Sequence, residues 1–397
     1  MLQGHPSPFW GELADGLAAA GARVVKVHLC AADPLFWGRR AGISFRGRLR
    51  DWPGFVGDLC AREGVTDMLY FADRLPYHAA AQAEGARRGI DCWAIEFGYL
   101  RPDWLTLERD GMGARSHFPR DPALLRAMAR LWPEPDMKVR HRHGFAQEAA
   151  LEVGFNLAMV FGRPAFPFYR ADKRYWPVAE YLGWIPVLLR AGREARAAAA
   201  LEARARGGGF DYNLVAMQMQ GDYQIRESSP YRDLTEFLRE VMGSFARHAP
   251  AGRQLVIKLH PLESDLPRWG TRIPRLAAEA GLRGRVQVIR GGDLQALLTH
   301  SRGVVMVNST VGLHALRLGV PVCARGSAVF RVPGLTHESG LDGFWTAPAP
   351  VDAALFAAFR RVLGSIQVKG SFFAPEGRRV AVAEMVRRLT DPARRPI

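Results

Sequence analysis

The chain has 397 residues, 48% hydrophobic and 23% charged, a balance that suits a globular protein of two domains and excludes a disordered or fibrous one. No run approaches the roughly 20 apolar residues of a membrane span. The start, Met1-Leu2-Gln3-Gly4-His5-Pro6, lacks the basic and apolar regions of a secretion signal, so secretion is not expected. The net charge of +15 calls for an anionic partner, but cannot choose among nucleic acid, anionic lipid and charged substrate.

In chain order, only Met1 and Leu2 precede the first turn-like run, so the opening strand reads as clipped or very short. A helix is expected over Phe9 to Ala20, then a strand over Val24 to Leu29. The alternation returns as helix Phe55 to Glu63, strand Met68 to Phe71, helix Tyr77 to Arg88 and strand Cys92 to Ile95. Such alternation predicts βα units and a parallel sheet. Cys30, Cys60, Cys92 and Cys323 are far apart, without metal-ligand spacing, and read as buried reduced thiols.

The Ala- and Arg-rich stretch Leu189 to Phe210 reads as the connection between halves. As a membrane-lying helix it would insert weakly, because its apolar residues are mostly alanine. Beyond it, strands are expected at Asn213 to Met219, Gln254 to Leu259, Val286 to Ile289 and Gly303 to Val307. Helices are expected at Asp233 to His248, Arg275 to Ala280, Leu294 to Thr299, Thr310 to Leu318 and Val380 to Leu389. The expected fold is α/β and GT-B-like: two Rossmann-like domains over 1–200 and 210–375 with a cleft between them. A C-terminal helix in 376–397 returns to the first domain.

Four segments carry candidate chemistry. Asn308, Ser309 and Thr310 follow a buried strand and open a helix, which suits a nucleotide phosphate but equally a plain N-cap. Lys258-Leu259-His260-Pro261 ends another strand, and the proline biases His260 to an extended backbone at the sheet's carboxyl edge. Gln218 to Ile225 alternates polar residues around Gly221 and Asp222. The glycine permits a tight turn, and Asp222 reads as a nucleophile or acid/base group, or as an Asx turn. Glu96, after strand Cys92 to Ile95, reads as a base for an acceptor hydroxyl, with Arg101 as its alternative salt-bridge partner.

At these residues the chain resembles a known family. Gln3-Gly4, Pro8-Phe9, Asp33-xx-Phe36-Trp37, Asp73-Arg74-Leu75-Pro76-Tyr77-His78 and Glu96-x-Gly98-Tyr99-Leu100-Arg101-Pro102 occur in order. Then come Gln218-x-Gln220-Gly221-Asp222-x-Gln224-Ile225, His260-Pro261 and Asn308-Ser309-Thr310-Val311-Gly312. Pro333-Gly334-Leu335-Thr336, Phe344-Trp345 and Gln367-Val368-x-Gly370-Ser371-Phe372 complete the set. Together they resemble capsular polysaccharide proteins of the KpsS/LipB type, relatives of KpsC. Family members often carry an acidic residue where this chain has Phe97, and usually a glycine where it has Ala72.

The resemblance implies a retaining, metal-independent β-Kdo transferase without a cofactor, using CMP-Kdo as donor and a phosphatidylglycerol-type lipid as acceptor. Asp222 would be the nucleophile, Glu96 the acid/base group and His260 a phosphate ligand. Gln220, Gly221, Lys258, Pro261, Asn308, Ser309 and Thr310 would complete the donor site. Asp73, Arg74, Tyr99 and Arg101 would lie on the acceptor side. Partners would be anionic lipid, the inner-membrane surface and the capsule assembly and export complex, not nucleic acid. The expected location is cytoplasmic, peripheral to the inner membrane. Arg39, Arg40, Arg46, Arg48 and Arg50 between Trp37 and Trp52, with Arg170, Lys173 and Arg174 among aromatics, suit an anionic membrane surface. Other readings are a transferase with another nucleotide sugar and a non-enzymatic export component.

Overall fold

The computed structural model describes residues 1–391, in two compact units. The first comprises Met1–Phe118, Trp132–Asp172 and the stretch from Arg361 onward; the second comprises Pro119–Leu131 and Lys173–Arg360. Each is α/β with parallel strands, as the alternating pattern predicts.

In the first unit, β1 (Val27–His28) pairs parallel with β2 (Ile43–Ser44), and β3 (Asp67–Phe71) with β4 (Asp91–Ile95). β5 (Glu108–Arg109) closes the edge, antiparallel to β4. Residues 1–3 fill the gap between β1 and β3. The Val27 N–H donates to the Met1 carbonyl at 3.0 Å, the Leu2 N–H to Leu69 at 2.8 Å and the Phe71 N–H to Gln3 at 3.1 Å. Residues 1–3 thus bridge β1 and β3 by backbone hydrogen bonds without forming a regular strand of their own. Of the expected strand Val24 to Leu29, only Val27 and His28 form a regular strand.

The C-terminal helix Pro375–Thr390 packs on helix Phe9–Ala19 of the same unit, as expected; 392–397 lie outside the described residues. Ala381, Met385 and Leu389 join Leu13 and Leu17 in one core. Gly16 lets the helices approach, since a Cβ there would meet Val386 at 2.9 Å. Arg378 adds an ion pair to Glu12 at 2.9 Å.

The second unit has one five-stranded sheet of β6 (Tyr212–Ala216), β7 (Gln254–Leu259), β8 (Val286–Arg290), β9 (Val304–Met306) and β10 (Val322–Ala324). Their order is β10-β9-β6-β7-β8, all parallel. The chain starts in the middle and winds outward both ways, so the order reverses between β6 and β9. In open parallel sheets the crevice at that reversal, beyond the strands' carboxyl ends, is where ligands bind.

Helix Leu234–His248 covers one face. Its Phe237, Leu238, Val241, Met242 and Phe245 are fully buried, worth about 1.5–3 kcal/mol each over exposure. Asp233 caps it, accepting from the Thr235 and Glu236 N–H groups at 2.8 and 3.2 Å. Two helices stand out among the differences from expectation. The helix expected at Arg275 begins earlier, at Trp269, and carries Pro274 inside. That proline sits within two turns of the start, where it removes only one early backbone bond. The stretch read as a connection, up to Arg206, is the later part of a 30-residue helix, Pro177–Arg206, packed against β8 of the second unit.

Candidate functional site

Three loops meet at the carboxyl ends of β6, β7 and β9. After β6, residues 219–222 form a turn closed by the Asp222 N–H on the Met219 carbonyl at 3.0 Å. Asp222 then caps helix Tyr223–Glu227, its Oδ1 accepting from the Gln224 N–H at 2.9 Å. The Asx turn and the candidate carboxylate, which is half-buried, are thus the same residue. Gly221 is not among the glycines with positive φ, and an added Cβ would come no nearer than 4.0 Å to another atom. The tight-turn reason for a glycine does not hold.

Gln218 joins this loop to the one after β9. Its Nε2 donates to Asp222 Oδ2 at 2.9 Å and to Asn308 Oδ1 at 2.7 Å, while its Oε1 accepts from the Asn308 N–H at 3.1 Å. Asn308 Nδ2 donates in turn to the Gln224 carbonyl at 3.1 Å. The bridge spans the β6/β9 reversal. Beyond Asn308, the Ser309 hydroxyl accepts from the Val311 N–H at 3.3 Å, and Thr310 stands at the helix start without a side-chain cap bond. Gly312 lets that helix approach Phe330, whose ring a Cβ would meet at 2.3 Å.

At the end of β7, the Leu262 N–H donates to His260 Nδ1 at 3.1 Å, which puts the neutral ring's proton on Nε2. The exposed Pro261 follows. The buried Glu263 ties this loop to the first, accepting from the Gln220 N–H at 2.7 Å; burial pushes its carboxyl pKa up. Gln220 is a buried strut whose Oε1 accepts from the Leu234 N–H at 3.3 Å. The Lys258 ammonium donates to the Gly291 carbonyl at 2.6 Å, and burial lowers its pKa. Glu263 is not singled out by the sequence, and Gln218 stands there only as the first residue of the motif around Asp222, with no role assigned.

The first unit holds a separate polar cluster at the ends of β3 and β4. Asp73 is buried and accepts from the Met112 N–H at 3.1 Å. Arg74 lies 3.8 Å from it, with its Nε and Nη2 atoms buried and without a hydrogen-bond partner among the described residues. The Tyr99 and Ser116 hydroxyls face Glu108, whose carboxyl burial pushes up to about 7. The sequence does not single out Glu108, whose burial comes with strand β5. Glu96 follows β4, half-buried, its Oε1 accepting from the Phe97 N–H at 3.1 Å. Arg101 is engaged with the Gly98 carbonyl at 3.2 Å and the Phe97 ring.

Several motif residues are structural. Phe97 lies among His5, Phe71, Phe372 and Phe373. Gln367 Oε1 accepts from the Tyr99 N–H at 2.7 Å, and Gly98 has no room for a side chain beside Trp104. Asp33 pins its own loop through the Leu29 and Cys30 N–H groups. All four cysteines are buried free thiols.

A family model described as "Capsule polysaccharide biosynthesis protein" matches residues 66–373. The chain is 32% identical over 373 residues to the capsule polysaccharide export protein KpsS of Escherichia coli, covering 91% of this chain and 93% of that one. It is 30% identical over 385 residues to the capsule polysaccharide modification protein LipB of Neisseria meningitidis serogroup A, covering 94% and 91%. Among solved structures, the KpsC β-Kdo 2,7 transferase of Thermosulfurimonas dismutans aligns with 93% of this chain and 98% of its own. The TM-score is 0.44 and the identity 16%.

Proposed function

This chain belongs to the capsule polysaccharide biosynthesis family, and from that premise we propose that it is a glycosyltransferase moving β-Kdo from CMP-Kdo to a phosphatidylglycerol-type lipid. The observation that carries the reading is the Gln218 bridge, which aims Asp222 from a sheet reversal with His260, Ser309 and Thr310 on neighbouring loops.

In the first step an Asp222 oxygen attacks C2 of the donor sugar. The bond from C2 to the CMP phosphate breaks, and its electron pair leaves on the phosphate oxygen. The His260 Nε2 proton and the Ser309 and Thr310 hydroxyls meet that charge, with Lys258, Pro261, Gln220, Gly221 and Asn308 shaping the donor loops. In the second step the acceptor hydroxyl gives its proton to Glu96 and attacks C2, expelling the Asp222 carboxylate with net retention. Asp73, Arg74, Tyr99 and Arg101 serve acceptor recognition. The reading assigns no metal or cofactor, on the family resemblance alone.

No helix among the described residues is long and apolar enough to cross a membrane. We place the enzyme at the cytoplasmic face of the inner membrane, alongside the capsule export machinery. A panel of CMP- and UDP-sugars tests donor choice: transfer from CMP-Kdo alone is expected, and turnover of a UDP-sugar in its place overturns the assignment.

A further inference from the structure

The long helix Pro177–Arg206 is amphipathic in an unusual sense. Its inner face is anchored in the second unit. Gly183, Val187, Ala198 and Leu201 are buried, a Cβ on Gly183 would meet Leu266 at 2.9 Å, and Arg190 pairs with Asp265 at 2.6 Å. Val178, Tyr181, Leu182, Ile185, Leu188 and Leu189 recur at three- or four-residue spacing on the opposite face, and all are exposed. Leu182 is 60% exposed, Leu188 69% and Leu189 82%. The same face then continues as Gly192, Arg193, Arg196, Ala199 and Ala203, an ordinary solvated surface. One helix side thus changes from large apolar to small and basic at its middle. Solubility alone does not call for the apolar half.

We propose that the outward face of 178–189 is the segment by which this protein lies on an anionic lipid bilayer, with its basic flanks over the headgroups. Charge complementarity selects this occupant. Lys173 and Arg174 precede the stripe and Arg193 and Arg196 follow it, all exposed. The acids are turned inward: Glu194 is 3.2 Å from Arg290, and Glu180 lies close enough to the buried Glu263 to raise its pKa. The outward side therefore carries apolar and cationic groups together, the pattern of helices that lie in the interface plane. The net charge of +15 adds long-range attraction of the same sign. The inference deepens the lipid-acceptor reading above and takes its purpose from it.

The test is co-sedimentation of the full chain with vesicles of phosphatidylcholine alone or with about one-third phosphatidylglycerol. The wild-type protein should pellet with the anionic vesicles and much less with neutral ones. Leu182→Glu with Leu188→Glu should lower anionic-vesicle binding at least ten-fold with an unchanged thermal melt; Leu182→Ser with Leu188→Ser stands in should the first variant misfold. Arg193→Glu with Arg196→Glu should erase the preference for anionic lipid. Binding unchanged by the leucine substitutions overturns the proposal. So does a wild-type dimer that these substitutions make monomeric without any vesicle binding, which marks the stripe as a protein interface. CMP release with a detergent-dispersed acceptor separates the two readings. If the stripe governs vesicle binding but no sugar is transferred, the bilayer proposal stands and the donor–acceptor reading falls.

Discussion

Gln218 donates to the Asp222 carboxylate at 2.9 Å and, from the same nitrogen, to Asn308 at 2.7 Å. One amide thus sets the direction of a carboxylate on the loop after β6 from the loop after β9. A carboxylate that must attack in line gains from such restraint, since about an ångström of misplacement costs on the order of a hundred-fold in rate.

Gln218→Ala should therefore lower kcat about ten- to hundred-fold with little change in KM for the donor. The matching measurement is steady-state CMP release with donor varied. A rise in KM at constant kcat would mean that Gln218 contacts substrate rather than positioning Asp222.

Ala72 occupies the left-handed region, with φ of 54°, and its carbonyl lies 3.0 Å from buried His78 Nδ1. The glycine usual in the family at this place has a physical reason, because only glycine adopts that φ without strain. Ala72→Gly should stabilise the protein by roughly 0.5–1 kcal/mol, the strain relief exceeding the entropy glycine adds to the unfolded chain. Urea unfolding measures it, and a loss of stability would contradict the strain account.

Burial pushes the Glu108 carboxyl up to about 7, against 4.5 for an ordinary glutamate. A raised carboxylate pKa means the folded state keeps a proton that the unfolded state has lost. Its contribution is fully present below pH 4.5 and fades as the pH rises to about 7. Glu108→Gln should remove this downward slope, flattening the difference between pH 5 and pH 8 by on the order of 2 kcal/mol. Denaturant midpoints at both pH values for wild type and variant decide it. Equal slopes would mean that Glu108 is already ionised at pH 5.

Regular periodic segments were legible from the chain alone. Gln254–Leu259 and Leu294–Thr299 have the bounds their apolar pattern implies. Asp222, His260 and Asn308 were visible because each follows a buried strand at its carboxyl end, a place the sheet order then brings together. Glu108 was hidden, since its burial depends on a two-residue strand pairing with β4, which charged residues do not advertise. The inverted polarity of the helix Pro177–Arg206 was hidden too. Amphipathic spacing tells that two faces differ, and not which one meets the core.

The most direct test of the account is CMP release from CMP-Kdo, generated in situ, with and without lyso-phosphatidylglycerol, by wild type and Asp222→Ala. Lipid-dependent release with a Kdo-lipid product is expected from the wild type, and none from the variant at an unchanged thermal melt. No release from folded wild type beside a working control enzyme, or full release by Asp222→Ala, would contradict it.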